Sequence, residues 1–185
     1  MAFIKVIEPE QATGLLKEIY DGLVQSRGKV ADVHKIQSLH PETITAHMDL
    51  YMSVMFSASP LSRAEREMMA VVVSMQNGCP YCQEHHGQAL NHYWKDEARL
   101  SRLRTDPATA GLSTREAALC TFAKLVTTAP AVGADGSAVA ELKKAGLDDR
   151  GILDATLVIG YFNFVNRIVL TLGVELENNP GGYKY

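Results

Sequence analysis

The residues with the clearest capacity for chemistry are two cysteines and a histidine. Cys79 and Cys82 lie three positions apart, and His86 follows four residues after the second thiol. The dipeptide Asn77-Gly78 before the first cysteine predicts a chain reversal, and Pro80 suits the first position of a helix because its missing N–H is not needed there. The spacing therefore predicts a dithiol at the N-terminus of a helix.

A helix that begins near Pro80 would favour the thiolate form of the cysteines. Unpaired backbone N–H groups and the positive end of the helix dipole lower the pKa of a cysteine there from its ordinary value of about 8.5. Cys82 and His86 would share one face of the helix, with their Cβ atoms about 5–6 Å apart. We expect His86 to accept the thiol proton of Cys82. His85 is rotated about 100° from His86 around the helix and is the weaker candidate.

The composition is that of an ordinary globular protein. The chain has 185 residues, of which 46% are hydrophobic and 21% charged, so we expect a single domain over residues 1–185. A net charge of −3 does not indicate the positively charged surface that is typical of nucleic-acid binding. The apolar runs are shorter than a membrane span, and the first residues lack a signal-peptide pattern. Three cysteines do not form a secreted disulfide framework, so we expect a cytoplasmic protein with no nucleic-acid or membrane partner.

The hydrophobic periodicity predicts an all-α protein with about seven helices and no convincing strand. Two of the helices open with a capping box, one at Ser62 and one at Ser113. The region 29–40 is less regular and is predicted as a loop or a short helix. The helical pair over about residues 61–95 would carry the dithiol. The predicted helices cover residues 9–25, 42–56, 62–77, 80–94, 112–128, 137–145 and 147–172.

A carboxylate on the helix before the dithiol could act on the histidine. Glu65 and Glu67 both precede Met68–Val73, a run that is apolar on every side and predicts a central, buried helix. If the two helices fold back across the turn between them, Glu67 can approach His86, orient the imidazole and raise its basicity. Periodicity does not choose between the two glutamates, and either one could instead be a solvated residue of the first helical turn.

These spacings resemble those of a known family. Glu67, eleven intervening residues, the Cys79–Cys82 motif, three more residues and then His86 resemble the AhpD-like alkylhydroperoxidases of the carboxymuconolactone decarboxylase superfamily, and most closely its peroxidase-related branch. The helix start at 61–62 and the segment 161–167 resemble that branch as well. The resemblance implies an all-α AhpD-like fold, no cofactor or metal, and a homo-oligomer, whether a dimer, a trimer or a hexamer.

The resemblance also implies a role for each residue of the motif. Cys82 would attack the O–O bond of an organic hydroperoxide or hydrogen peroxide and become a sulfenic acid, and Cys79 would resolve it to a disulfide. His86 would deprotonate Cys82, and Glu67 would serve the proton relay. A dithiol reductant protein or a small thiol would restore the pair. Tyr81 stands where AhpD itself has a histidine, immediately before the second cysteine.

Three other functions remain open from the residues. A zinc site is one, although four ligands within eight residues of one helix start would strain a tetrahedron: Cys79, Cys82, His85 and His86. A decarboxylase of the carboxymuconolactone type is another, but that activity belongs to members of the superfamily without the dithiol. The third is a redox-sensing or redox-regulated binding protein that is not an enzyme.

The remaining candidates for chemistry have structural interpretations. Cys120 lies on an apolar helix face and is predicted to be a buried, unreactive side chain. Four histidines have no partner group nearby in sequence and are predicted to be surface or capping residues: His34, His40, His47 and His92. Asn163, Asn166 and Arg167 interrupt an apolar helix, either near the dithiol, at a subunit contact, or in structural hydrogen bonds.

Overall fold

The computed structural model describes residues 2–177, and within that range it contains nine α-helices and three short 3₁₀ helices but no β-strand. This confirms the predicted all-α class. Residues 178–182, whose sequence of asparagine, proline and glycine is typical of a turn, lie outside the described residues. The α-helices are α1 (Gly14–Arg27), α2 (Asp32–Lys35), α3 (Pro41–Phe56), α4 (Arg63–Gln76), α5 (Pro80–Trp94), α6 (Glu97–Thr105), α7 (Thr114–Thr128), α8 (Ser137–Lys144) and α9 (Asp149–Leu172). The 3₁₀ helices are Pro9–Gln11, Pro107–Thr109 and Pro130–Asp135.

The predicted helices differ from the structure at two places. The helix predicted over 9–25 is interrupted, because Ala12 and Thr13 are extended and α1 begins only at Gly14. Helix α6 is absent from the prediction, because its charged residues hide the apolar period of Leu100 and Leu103, which are both buried. The side chain of Asp96 caps α6 by accepting from the N–H of Arg99 at 2.8 Å.

Helix α4 is the centre of the fold. Its capping box at Ser62 forms as predicted, with the Ser62 hydroxyl accepting from the Glu65 N–H and the Glu65 carboxylate accepting from the Ser62 N–H. Every residue from 66 to 74 is buried, and the helix packs against α5, α7 and α9. The central position predicted from the apolar run is therefore confirmed. Glu67 is carried into the interior because it belongs to this enclosed stretch.

The turn between α4 and α5 places the dithiol. Gly78 has a φ of +64°, which a glycine adopts without steric cost, and the N–H of Cys79 then bonds to the carbonyl of Ser74 at 2.9 Å. The side chain of Asn77 donates to Asn163 and Asn166 at 3.1 and 3.0 Å. These bonds tie the turn to α9, so the start of α5 is held over that helix.

Helix α9 forms one wall beneath the site. By length and composition it is the one helix of the described chain that could cross a membrane. Its buried residues pack against α4 and α7, as expected for the core helix of a folded domain. Through this packing α9 contributes Tyr161, Phe162 and Asn166 to the surroundings of the dithiol.

Candidate active site

The two thiols lie at the start of α5, with Cys79 at the N-cap position and Cys82 in the first turn. Both are free cysteines, and both are buried, with relative exposures of 0% and 2%. Cys82 lines a cavity with a volume of about 80 Å³, together with His85, His86 and Tyr161. A small molecule in this cavity would lie beside Cys82.

The pKa values of the two thiols are shifted in opposite directions, down for Cys79 and up for Cys82. A hydrogen bond from the thiol of Cys82 lowers the pKa of Cys79, burial opposes that effect, and the backbone N–H groups of Cys82 and Tyr81 reinforce it. The same hydrogen bond and burial raise the pKa of Cys82 well above its ordinary value, which a contact from the side chain of Asn166 partly offsets. The lowered thiol pKa expected at a helix start therefore falls on the first cysteine in the resting pair.

A buried ion network lies behind His86. Its Nδ1 lies 2.7 Å from Oε2 of Glu67, and the other carboxylate oxygen accepts from Nη2 and Nε of Arg63 at 2.6 and 3.0 Å. Burial alone would raise the pKa of Glu67, but the charges and hydrogen bonds of His86 and Arg63 hold it below its ordinary value. Glu67 is thus an ionised, fully buried carboxylate that orients the imidazole.

The structure distinguishes the two candidate glutamates. Glu65 takes part in the capping box and accepts from Nε of Arg115 at 2.7 Å, so it faces away from the dithiol. Glu67 makes the contact with His86 directly rather than through a water. Helical spacing left this open, since both residues sit in the first turns of α4 and only packing decides which one faces α5.

A set of asparagines supports the dithiol from α9. Asn166 has no exposed surface, and its amide group donates to the hydroxyl of Ser74 at 3.2 Å and accepts from Asn77 at 3.0 Å. Its contact with Cys82 favours the thiolate of that residue. Of the roles left open for these residues, Asn163 and Asn166 take the positions near the dithiol, and Asn163 also bonds to Arg167.

Tyr81 and His85 line the cavity and share Glu177 as a hydrogen-bond partner. The Tyr81 hydroxyl donates to Oε1 of Glu177 at 3.1 Å, and Nε2 of His85 lies 2.7 Å from Oε2. Burial would raise the pKa of Glu177, but His85 lowers it to about 2. His85, the weaker candidate, therefore lines the same cavity as His86 but pairs with a different carboxylate.

A second hydrogen-bonded chain, built from other residues, also ends at the cavity. The Tyr161 hydroxyl lies 2.7 Å from Nε2 of His47, and Nδ1 of His47 lies 2.8 Å from Nε2 of Gln37. The surface position predicted for His47 is wrong: only 4% of it is exposed. His34 is half-buried and lines the cavity, whereas His40 and His92 are exposed as predicted. No local spacing could reveal this chain, because its members come from the segment after α2, from α3 and from α9.

The zinc alternative has no geometric support. Within residues 2–177, no group of three or more histidine, cysteine, aspartate or glutamate side chains is arranged to hold a metal ion. His85 and His86 are each directed at a carboxylate rather than converging with the thiols. Cys120 is buried as predicted, and burial raises its pKa to about 12, which keeps that thiol unreactive.

Comparison with known proteins gives one family and several similar structures. The model of the carboxymuconolactone decarboxylase family matches residues 41–125, the stretch from α3 into α7. A peroxidase-related protein from a Silicibacter species is 29% identical, with a TM-score of 0.82, and the match covers 95% of this chain and 96% of that one. No curated protein matches the chain.

Two further structures share the fold at lower identity. A peroxidase-related protein from Ralstonia eutropha, described as an alkylhydroperoxidase AhpD core, is 22% identical with a TM-score of 0.85, over 96% of this chain and 93% of that one. The debrominase Bmp8, in a structure with 2,3,4-tribromopyrrole, is 17% identical with a TM-score of 0.78, over 97% of this chain and 96% of that one. The same fold therefore occurs in a peroxidase-related protein and in a debrominase.

Proposed function

The chain belongs to the AhpD-like and carboxymuconolactone decarboxylase superfamily, and on that basis we propose that it reduces hydroperoxides with its dithiol. The observation that carries the proposal is the common cavity of Cys82 and His86, with Glu67 hydrogen-bonded behind the imidazole at 2.7 Å. A thiol that meets a small molecule, a base beside it and a carboxylate that stabilises the protonated base are the parts that thiol-based reduction needs.

In the first step the dithiol gives one proton to His86, whose imidazolium is stabilised by Glu67. One negative charge then remains on the pair, and the last proton moves across the hydrogen bond from Cys82 to Cys79. The negative charge then lies on Cys82, the cysteine that lines the cavity. Asn166 favours this state because its contact lowers the pKa of Cys82.

In the next steps the sulfur of Cys82 bonds to the terminal oxygen of the hydroperoxide and the O–O bond breaks. The departing alkoxide takes up one proton and leaves as an alcohol, and the proton that His86 accepted balances this uptake. The sulfenic acid of Cys82 then reacts with the thiol of Cys79, which forms the S–S bond and releases water. The two thiols supply the two electrons that the peroxide accepts. A dithiol protein or a small thiol returns the disulfide to its reduced form by exchange.

A second candidate is reductive dehalogenation of a small aromatic molecule. The walls of the cavity carry the rings of Tyr51, Tyr81 and Tyr161 beside Cys82, which suits a flat aromatic ligand. The similarity to the debrominase favours the same idea. In such a reaction the dithiol becomes a disulfide, a C–Br bond becomes C–H, and bromide and a proton are released.

The test is single-turnover loss of free thiols with cumene hydroperoxide. The described protein has three free cysteines, so the wild type should retain one thiol per chain after complete reaction. Cys82→Ser should lose thiols only at the rate of uncatalysed thiol oxidation, because the sulfur at the cavity is gone. Cys120→Ser is the matched control and should lose two thiols at the wild-type rate.

The outcomes separate the candidate functions. Wild-type thiols that persist in peroxide, or a Cys82→Ser variant that is oxidised as fast as the wild type, would overturn the peroxide reaction. Bromide release from 2,3,4-tribromopyrrole by the reduced protein, without thiol loss to peroxide, would favour dehalogenation. Thiol oxidation that is slow with both cumene hydroperoxide and 2,3,4-tribromopyrrole, but is reversed rapidly by a dithiol protein, would favour a redox-regulated binding protein.

A further inference from the structure

We propose that Tyr161 donates the proton that the leaving oxygen of the hydroperoxide takes up. This inference rests on the proposed hydroperoxide reduction and adds an acid to it, in the same cavity that His86 lines. Tyr161 belongs to α9, is 7% exposed, and lines the cavity that Cys82 also lines. Its hydroxyl has one hydrogen-bond partner among the described residues, which is Nε2 of His47.

The direction of that hydrogen bond follows from the far end of the chain. The Nε2 group of Gln37 lies 2.8 Å from the carbonyl oxygen of Val33, which can only accept, so the amide nitrogen rather than the amide oxygen must be at this position. The same nitrogen lies 2.8 Å from Nδ1 of His47. Because an amide nitrogen only donates, Nδ1 of His47 must accept and carries no proton.

A neutral imidazole without a proton at Nδ1 carries it at Nε2. His47 therefore donates to the oxygen of Tyr161, and the phenol proton is left to point elsewhere. The described residues offer no acceptor for that proton, and the cavity is the space that remains. The three residues Gln37, His47 and Tyr161 thus hold one O–H group ready to donate to a molecule beside Cys82.

The charge states agree with this geometry. Burial lowers the pKa of His47 from 6.5 to about 4, so its imidazole is neutral at neutral pH. Burial raises the pKa of Tyr161 well above 10, and electrostatic interactions with Tyr51, Cys82 and Glu67 raise it further. Tyr161 consequently stays protonated beside the thiolate and is available as an acid.

The reaction balances with Tyr161 as donor. The thiolate of Cys82 forms an S–O bond with the terminal oxygen while the O–O bond breaks and its electron pair leaves on the alkoxide. The alkoxide takes the phenol proton and departs as an alcohol. Water in the cavity then carries the proton held by His86 to the phenolate, which restores both groups. Without the donor the alkoxide, a strong base, would leave unprotonated.

The test varies the basicity of the leaving group. Cumene hydroperoxide releases an alkoxide that needs a proton, whereas peracetic acid releases acetate, which does not. In Tyr161→Phe we expect single-turnover oxidation by cumene hydroperoxide to slow on the order of 100-fold, and oxidation by peracetic acid to change by less than about threefold. Tyr93→Phe, on the exposed side of α5, is the matched control and should react as the wild type does with both oxidants.

A separate reaction reports the thiolate itself. Alkylation of Cys82 by iodoacetamide needs a thiolate but no proton donor, so Tyr161→Phe should be alkylated at the wild-type rate. Equal slowing with both peroxides, or a matching loss of alkylation, would overturn the role of Tyr161 and indicate a structural one. A wild type that reacts with neither peroxide while its thiols are alkylated normally would overturn the proposed function, and the donor role with it.

Discussion

Two hydrogen-bonded chains end at the same cavity, and they differ in charge. The first runs from Arg63 through Glu67 to His86 and contains a buried ion pair. The second runs from Gln37 through His47 to Tyr161 and contains only neutral groups at neutral pH. The first is suited to accept a proton and hold the resulting charge. The second is suited to keep a proton in one place until a strong base appears.

The difference in charge also predicts how much stability the protein loses when one partner is removed from each chain. The carboxylate of Glu67 has no exposed surface, and its partner Arg63 is held by the carbonyl of Met55 at 3.0 Å and by the ring of Phe56 at 3.5 Å. Removal of one charge from such a pair leaves the other buried without compensation. Removal of a neutral partner leaves only an unsatisfied polar atom, which costs less.

The largest effect should come from Arg63→Met. This change leaves the Glu67 carboxylate buried without the guanidinium that compensates its charge, so we expect the free energy of unfolding to fall by about 3–5 kcal/mol. Urea unfolding at neutral pH measures it. Lys17→Met, which removes an exposed ion pair with Asp21, is the control and should change stability by less than about 0.5 kcal/mol. A loss below about 1 kcal/mol in Arg63→Met would contradict the view that the first chain depends on its charges.

A smaller, pH-dependent effect should appear at His47. Its pKa is 6.5 in the unfolded chain and about 4 in the folded one, so the unfolded state binds more protons between these values. Stability should therefore be lost as the pH falls through this window. From pH 7 to pH 5 the contribution of His47 is about 1–2 kcal/mol.

The measurement is urea unfolding of the wild type and of His47→Gln at both pH values. The variant should lose less stability on acidification than the wild type does. The ring of His34 lies 5.3 Å from that of His47. His34 titrates in both proteins, so its contribution to the pH dependence of stability cancels to first order when the two are compared. An identical pH dependence in the two proteins would show that His47 is not held neutral by burial.

The smallest effect should come from Gln37→Leu. It removes the donor to Nδ1 of His47 and leaves that nitrogen unsatisfied, at a cost of about 1 kcal/mol in stability. Nitrogen chemical shifts of the imidazole report the tautomer: the wild type should carry its proton at Nε2, and the variant should show a mixture of both forms. If the wild type carried its proton at Nδ1, the hydrogen bonds of the second chain would run in the direction opposite to the one inferred, and His47 would not donate to Tyr161.

Local sequence pattern determined the dithiol and the histidine beside it. The Asn77-Gly78 turn, the Pro80 helix start and the i, i+4 spacing of Cys82 and His86 depend on neighbouring residues, so they were readable from order and type alone. The buried position of α4 followed from its apolar run. The choice of Glu67 over Glu65 did not, because it depends on which face of α4 meets α5.

The sequence alone thus determined the fold class, the dithiol at a helix start and the histidine in register with it. Tertiary packing decided the rest: the carboxylate behind His86, the lower pKa of Cys79 rather than Cys82, and the chain from Gln37 to Tyr161. The physical reason is distance along the chain. His47 and Tyr161 are 114 residues apart and meet only because α3 packs on α9. Their chemistry depends on burial and on a hydrogen-bond direction that only the folded protein supplies.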